Sequence, residues 1–143
     1  MSIDNLKEIV RQKILEDFKK CQNLEQEYQK EISKMEQIGL SKSNGYVSLI
    51  AKRLTVSYFA AYLYRIIKFV KGADLEVITN ISRNEMRLKR TIQMWKKNDI
   101  KKVRKMRKQI GEDGVSLMKK SINESILKID DYVDSLGDGI RKM

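Results

Sequence analysis

The chain has 143 residues, 41% of them hydrophobic, and a formal net charge of +11, a size that suits one domain with a packed core. It holds no His and a single Cys, which removes the commonest general base, the Ser-His and Cys-His nucleophile pairs and the usual zinc ligands. No proline and only 7 glycines leave little punctuation for short strands, so the expected class is all-α, a helical bundle with long amphipathic helices.

From Ile3 to Met35, apolar side chains recur at Ile3, Leu6, Val10, Ile14, Phe18, Cys21, Leu24, Tyr28, Ile32 and Met35, a mean step of about 3.6 residues. The spacing predicts one amphipathic helix, capped by Ser2 or Asp4 and closed by a polar loop holding Gly39, Ser41, Ser43, Asn44 and Gly45. Cys21 lies on the apolar stripe and reads as a small buried hydrophobe. A helix of about 33 residues would reach about 50 Å, more than so small a domain needs, so it either kinks or extends toward another chain.

The stretch from Tyr46 to Val70 is apolar around its girth, most densely from Val56 to Tyr64, and is expected to form a helix buried on more than one side. Lys52, Arg53, Arg65 and Lys68 interrupt the run, which argues against a membrane span. Cover would come from other helices of the chain or from a partner subunit, and Tyr58, Phe59, Tyr62 and Tyr64 add weight to the second source. Gly72 is expected to end this helix, Asp74 to cap a short turn through Ile78, and Ser82 with Glu85 to form a capping box that opens a third helix.

Leu88, Ile92 and Trp95 continue one apolar face of that helix. Asp99 would fall in the apolar seam if the helix ran straight on, so a kink is expected at Asn98-Asp99, followed by a helix bearing Ile100, Val103, Met106 and Ile110. Gly111 and Gly114 mark the next break. A final helix aligns Val115, Met118, Ile122, Ile126, Ile129, Val133 and Leu136, with Gly137 and Gly139 expected to release the tail.

Between Arg83 and Lys108 stand 12 basic and 2 acidic side chains, so this stretch carries nearly all of the positive excess. Such a focused patch predicts a polyanion or an acidic partner at one place, through Arg87, Arg90, Lys96, Lys97, Lys101, Lys102, Arg104, Lys105 and Lys108, with Lys89 and Arg107 beside them. No helix-turn-helix spacing, zinc finger or aromatic RNA-binding signature accompanies it, so base reading is not expected. Asp130, Asp134 and Asp138 share a face of the final helix and could hold a divalent ion, but the preferred reading is a solvated face or a complement to the basic segment. That complement tips the basic segment toward assembly with protein rather than direct contact with nucleic acid. No glycine-rich nucleotide cradle is present, so no cofactor, metal or catalytic residue is assigned and the chain is not read as an enzyme. The first residues lack the apolar core of a signal peptide, and the expected location is cytoplasmic, with no membrane contact.

The central helix contains Arg53-Leu54-Thr55-Val56-Ser57-Tyr58 and then Leu63-Tyr64-Arg65-Ile66, preceded by Ser48-Leu49. This resembles the helical domain of GINS subunits, particularly the archaeal subunit related to the eukaryotic Psf-one and Sld-five pair. There, an Arg-x-Thr-Val-x-Tyr stretch and a Leu-x-Arg-Ile stretch sit on a central helix of similar place and length. The likeness spans residues 10 to 110 and includes the order of the elements. It suggests a GINS-like helical domain over 1–110; members of this type usually append a small β-rich domain, whereas residues 111–143 read here as a C-terminal helical extension, part of the same domain or a linker, with no β-rich pattern evident. The resemblance implies a non-catalytic subunit of a heterotetramer that scaffolds the replicative helicase assembly at the DNA replication fork. Its implied partners are a related GINS subunit, the MCM helicase, a RecJ-like protein and primase, with DNA close by and a nucleoid-associated location. By the same resemblance Arg53, Thr55, Val56, Tyr58, Leu63, Arg65 and Ile66 belong to fold and subunit interface, and Phe59 and Tyr62 stand beside them.

Overall fold

The computed structural model describes the backbone of residues 3–72 and 84–141 and the side chains of 8–68 and 88–138. The expected Ser2 cap, the turn from Asp74 to Ile78, the Ser82 side of the capping box and the Arg87 side chain lie outside the described residues. Among the described residues, four helices make up an all-α bundle: α1 (Ile3–Gln37), α2 (Asn44–Gly72), α3 (Asn84–Lys105) and α4 (Arg107–Arg141). Among the described residues none is in a strand, and no helix is long and apolar enough to cross a membrane.

Side-chain pairs fix the helix directions. Arg53 donates to Gln29 at 2.7 Å and Tyr46 to Glu36 at 2.8 Å, so α2 folds back along α1 about the loop between them. Lys89 meets Asp134 at 2.6 Å, which makes α4 antiparallel to α3 in the same way. Thr55 lies opposite Glu124 and Phe59 opposite Tyr132, so α2 and α4 run parallel. The result is an up-down-up-down bundle in which α2 and α4 form the middle, α1 packs on α2, and α3 packs on α4. One cluster joins Val10 and Ile14 of α1, Tyr62, Leu63 and Ile66 of α2, Leu88, Ile92 and Val103 of α3, and Val115, Ile122, Ile126, Ile129 and Val133 of α4. The segment after Ile110 therefore contributes directly to the core.

The α1–α2 connection follows from its residue types. Gly39 takes φ +79°, the left-handed conformation that glycine adopts without strain, and lets Leu40 N–H reach Met35 O (2.8 Å) and Gly39 N–H reach Glu36 O (3.2 Å). Ser43 then caps α2, its Oγ accepting from Tyr46 N–H at 3.2 Å.

At three places the fold departs from expectation. First, α3 runs unbroken through Asn98-Asp99, with Asp99 buried in the apolar seam where a straight helix puts it. Second, the break comes at Met106 and at Gly111, which has φ +74°. Gly114 lies inside α4, where a Cβ would stand 2.9 Å from that of Ile110, so the glycine permits close packing against the turn rather than making the break. Third, Gly137 and Gly139 do not release the tail, since α4 continues to Arg141. Neither takes a positive φ, and glycine inside a helix costs only about 1 kcal/mol relative to alanine, which packing of the rest of the helix offsets.

Candidate functional site

A buried charged junction joins α2 to α3. The Asp99 carboxyl group is buried in the seam on the same side as Ile92 and Val103, and α2 answers it with three donors. Tyr62 Oη donates to Oδ2 at 2.7 Å, Arg65 Nη1 to Oδ2 at 3.1 Å and Arg65 Nη2 to Oδ1 at 3.3 Å. Trp95, one helical turn before Asp99, stacks nearly parallel on Tyr62 with ring centroids 6.4 Å apart and planes 8° apart. The Arg65 guanidinium sits 5.2 Å from the Tyr62 ring centroid and 5.8 Å from that of Trp95. Burial, then the hydrogen bond to Asp99, holds the Tyr62 hydroxyl protonated far above the usual phenol range. Tyr58 is pushed up more mildly, first by burial and then by the Asp99 charge.

These contacts place the residues that carry the resemblance. Thr55, Tyr62, Leu63 and Ile66 are buried under the chain's own helices. Thr55 donates to Ala51 O at 3.0 Å and lies 3.5 Å from Glu124. Arg53, Val56, Tyr58, Phe59 and Arg65 are half-buried, with Arg53 tied to Gln29 and Phe59 packed edge-on against Tyr132. Most of the apolar girth of α2 is thus covered from within the chain. Tyr64 stays exposed, between Phe18 and the Lys68 ammonium.

The basic segment divides by helix geometry. Leu88, Ile92, Asp99 and Val103 point into the bundle, and at 3.6 residues per turn Arg90, Lys97, Lys101, Arg104 and Lys105 fall on the opposite side. All five are exposed, as are Lys102 and Lys108, while Lys96 is half-buried. On the flank of the helix Lys89 pairs with Asp134, which realises the expected complement between the basic and acidic faces. Arg107 pairs with Glu112 at 2.7 Å. No carboxylate of the described residues lies within ion-pair distance of Arg90, Lys97, Lys101, Arg104 or Lys105.

Asp130, on the acidic face, has its carboxyl pushed above the ordinary value, mainly by burial and in spite of Lys89 nearby. Asp134 and Asp131 add to the upward push. Its Oδ1 is buried with no hydrogen-bond partner among the described residues. Among those residues, no group of three or more His, Cys, Asp or Glu is arranged to hold a metal ion.

A groove of about 690 Å³ between α1, α2 and α4 is not foreshadowed by any sequence pattern. Ile9, Val10, Cys21, Phe59 and Leu136 line it together with Lys13, Asp17, Lys20, Tyr132 and Ser135. Tyr132 donates to Asp17 at 2.6 Å across it, and burial raises the Cys21 thiol, helped by the carboxylates of Asp17 and Glu25. Only tertiary structure brings α1 and α4 together here, so no local signal could have shown it.

Compared with known proteins, the chain matches no family model, no curated protein and no solved structure.

Proposed function

We propose that this chain is a non-catalytic helical subunit of a GINS-type replication assembly, a scaffold whose partners are a related subunit and, through it, the MCM helicase, a RecJ-like protein and primase at the replication fork. The observation that carries this reading is where the resembling residues fall. Thr55, Leu63, Arg65 and Ile66 are packing positions of α2, the helix that touches each of the other three helices of the described residues through Arg53 to Gln29, Arg65 to Asp99 and Thr55 toward Glu124. A likeness confined to exposed positions would be cheap to reach by chance, whereas these positions bear on how the whole bundle packs. A scaffold also needs a rigid body that holds its surfaces in fixed relation, and the junction at Asp99 locks α3 against α2.

The reading is tested by co-expressing the chain with a GINS-type subunit from the same genome and measuring the mass in solution. A stoichiometric complex is expected. A chain that stays a monodisperse monomer at micromolar concentration, with and without that subunit, contradicts it.

A further inference from the structure

We infer that the outer face of α3 is a site for the phosphate backbone of double-stranded DNA, independent of base sequence and independent of any subunit assembly. Arg90, Lys97, Lys101, Arg104 and Lys105 lie within an arc of about 100° and over a length of about 22 Å, as 3.6 residues per turn and 1.5 Å per residue require. All five are exposed, and the acidic face of α4 does not neutralise them, because its Asp134 is engaged with Lys89 on the flank. The site is preformed: Asp99, on the inner side, fixes the rotation of α3 about its own axis through Tyr62 and Arg65, so the cations face outward together.

Two observations select the ligand. A protein interface is depleted in lysine and centred on buried apolar or aromatic anchors, yet the large apolar side chain exposed on this side is Met94 alone among the described residues (55%). That disfavours an acidic protein. A single-stranded nucleic acid site needs aromatic platforms on which bases stack, and the one aromatic residue of α3, Trp95, is turned inward onto Tyr62. Cations without stacking surfaces suit a duplex, whose bases are already stacked and whose phosphates are displayed.

The test is fluorescence anisotropy of the full chain with a labelled mixed-sequence DNA duplex and with each separate strand, from 50 to 200 mM salt. Up to five phosphates neutralised gives a slope as steep as about −4.5 in log affinity against log salt, a loss of about 500-fold over that range. Changing Arg90, Lys97, Lys101, Arg104 and Lys105 to Gln should lower duplex affinity at 50 mM salt by more than about 10-fold and flatten the slope by about one unit for each phosphate no longer neutralised. A control with Lys19, Lys30, Lys34, Lys42 and Lys52 changed to Gln has the same net charge and should keep the native affinity and slope. A smaller set, Lys97→Gln with Lys101→Gln and Lys105→Gln, gives an intermediate loss and guards against misfolding of the larger one. The inference is overturned by absence of duplex binding at 50 mM salt, by an equal loss in the control, by tighter binding of the single strands, or by a face variant that keeps duplex affinity but no longer joins a GINS-type subunit. Because the isolated chain is used for the DNA measurement, failure here leaves the mass measurement above untouched, and the reverse also holds.

Discussion

The two sides of α3 carry charge under opposite conditions. On the inner side Asp99 is 9% exposed and meets an arginine and a tyrosine hydroxyl at hydrogen-bond distance. On the outer side five cations stand in water with no carboxylate of the described residues to meet them. A buried carboxylate persists only when its desolvation is offset by paired donors, so the inner charge fixes how α3 sits on α2. An exposed row of like charges adds nothing to the fold and raises the local attraction for a polyanion. One helix thus carries a structural charge on one side and a solvated row of cations on the other, separated by half a turn.

Removing the inner charge should have the largest effect. Asp99→Ala strands Arg65 and the Tyr62 hydroxyl and is expected to lower the unfolding free energy by about 2–4 kcal/mol in urea titration. The Arg65 side chain, 35% exposed, recovers some hydration and holds the loss toward the lower end of that range. A loss below about 0.5 kcal/mol would break the contrast between the two sides. Tyr62→Phe sharpens it: the ring and its stacking on Trp95 remain while the hydroxyl is removed, leaving Asp99 its two Arg65 bonds, and the expected cost is about 1 kcal/mol.

A third charge lies between these extremes. Asp130 is half-buried, its Oδ1 lacks a partner among the described residues, and its carboxyl titrates above the ordinary 3.8. Below pH 3.8 both folded and unfolded chains hold the proton and the group is neutral in effect. As pH rises from there toward the raised folded value, the unfolded chain releases its proton first, so stability falls, and above the folded value the deficit is constant. Asp130→Asn should therefore raise the melting temperature at pH 7, by about 1–3 °C given the exposure of the side chain, and lose that advantage at pH 3. An equal gain at both pH values would show that the charge is not the cause.

How far this division could be read from sequence depended on whether the deciding interaction was local. The 3.6-residue stripe of α1 was legible, and Val10, Ile14 and Ile32 are buried as it implies. Periodicity does not reveal what covers a stripe, however, and Leu24, on the same stripe, is 37% exposed. The basic segment was legible as a charge excess, and Gly111 as a break. Asp99 was not, because an ionised residue in an apolar seam looks like a helix end until its partners are known, and Tyr62 and Arg65 lie on another helix. The pairing of Lys89 with Asp134 also shows that charge count alone overstates the polyanion face, since part of the basic segment serves the bundle.

The most direct test compares unfolding free energies after removing many outer charges and one inner charge. With Arg90, Lys97, Lys101, Arg104 and Lys105 all changed to Gln, the unfolding free energy should fall by no more than about 0.5 kcal/mol, or rise as like-charge repulsion is relieved. Asp99→Asn, which removes a single charge and keeps the shape of the side chain, should lower it by at least about 1 kcal/mol. A five-site variant that loses as much stability as Asp99→Asn would contradict the separation of a structural inner side from a solvated outer side that adds nothing to the fold.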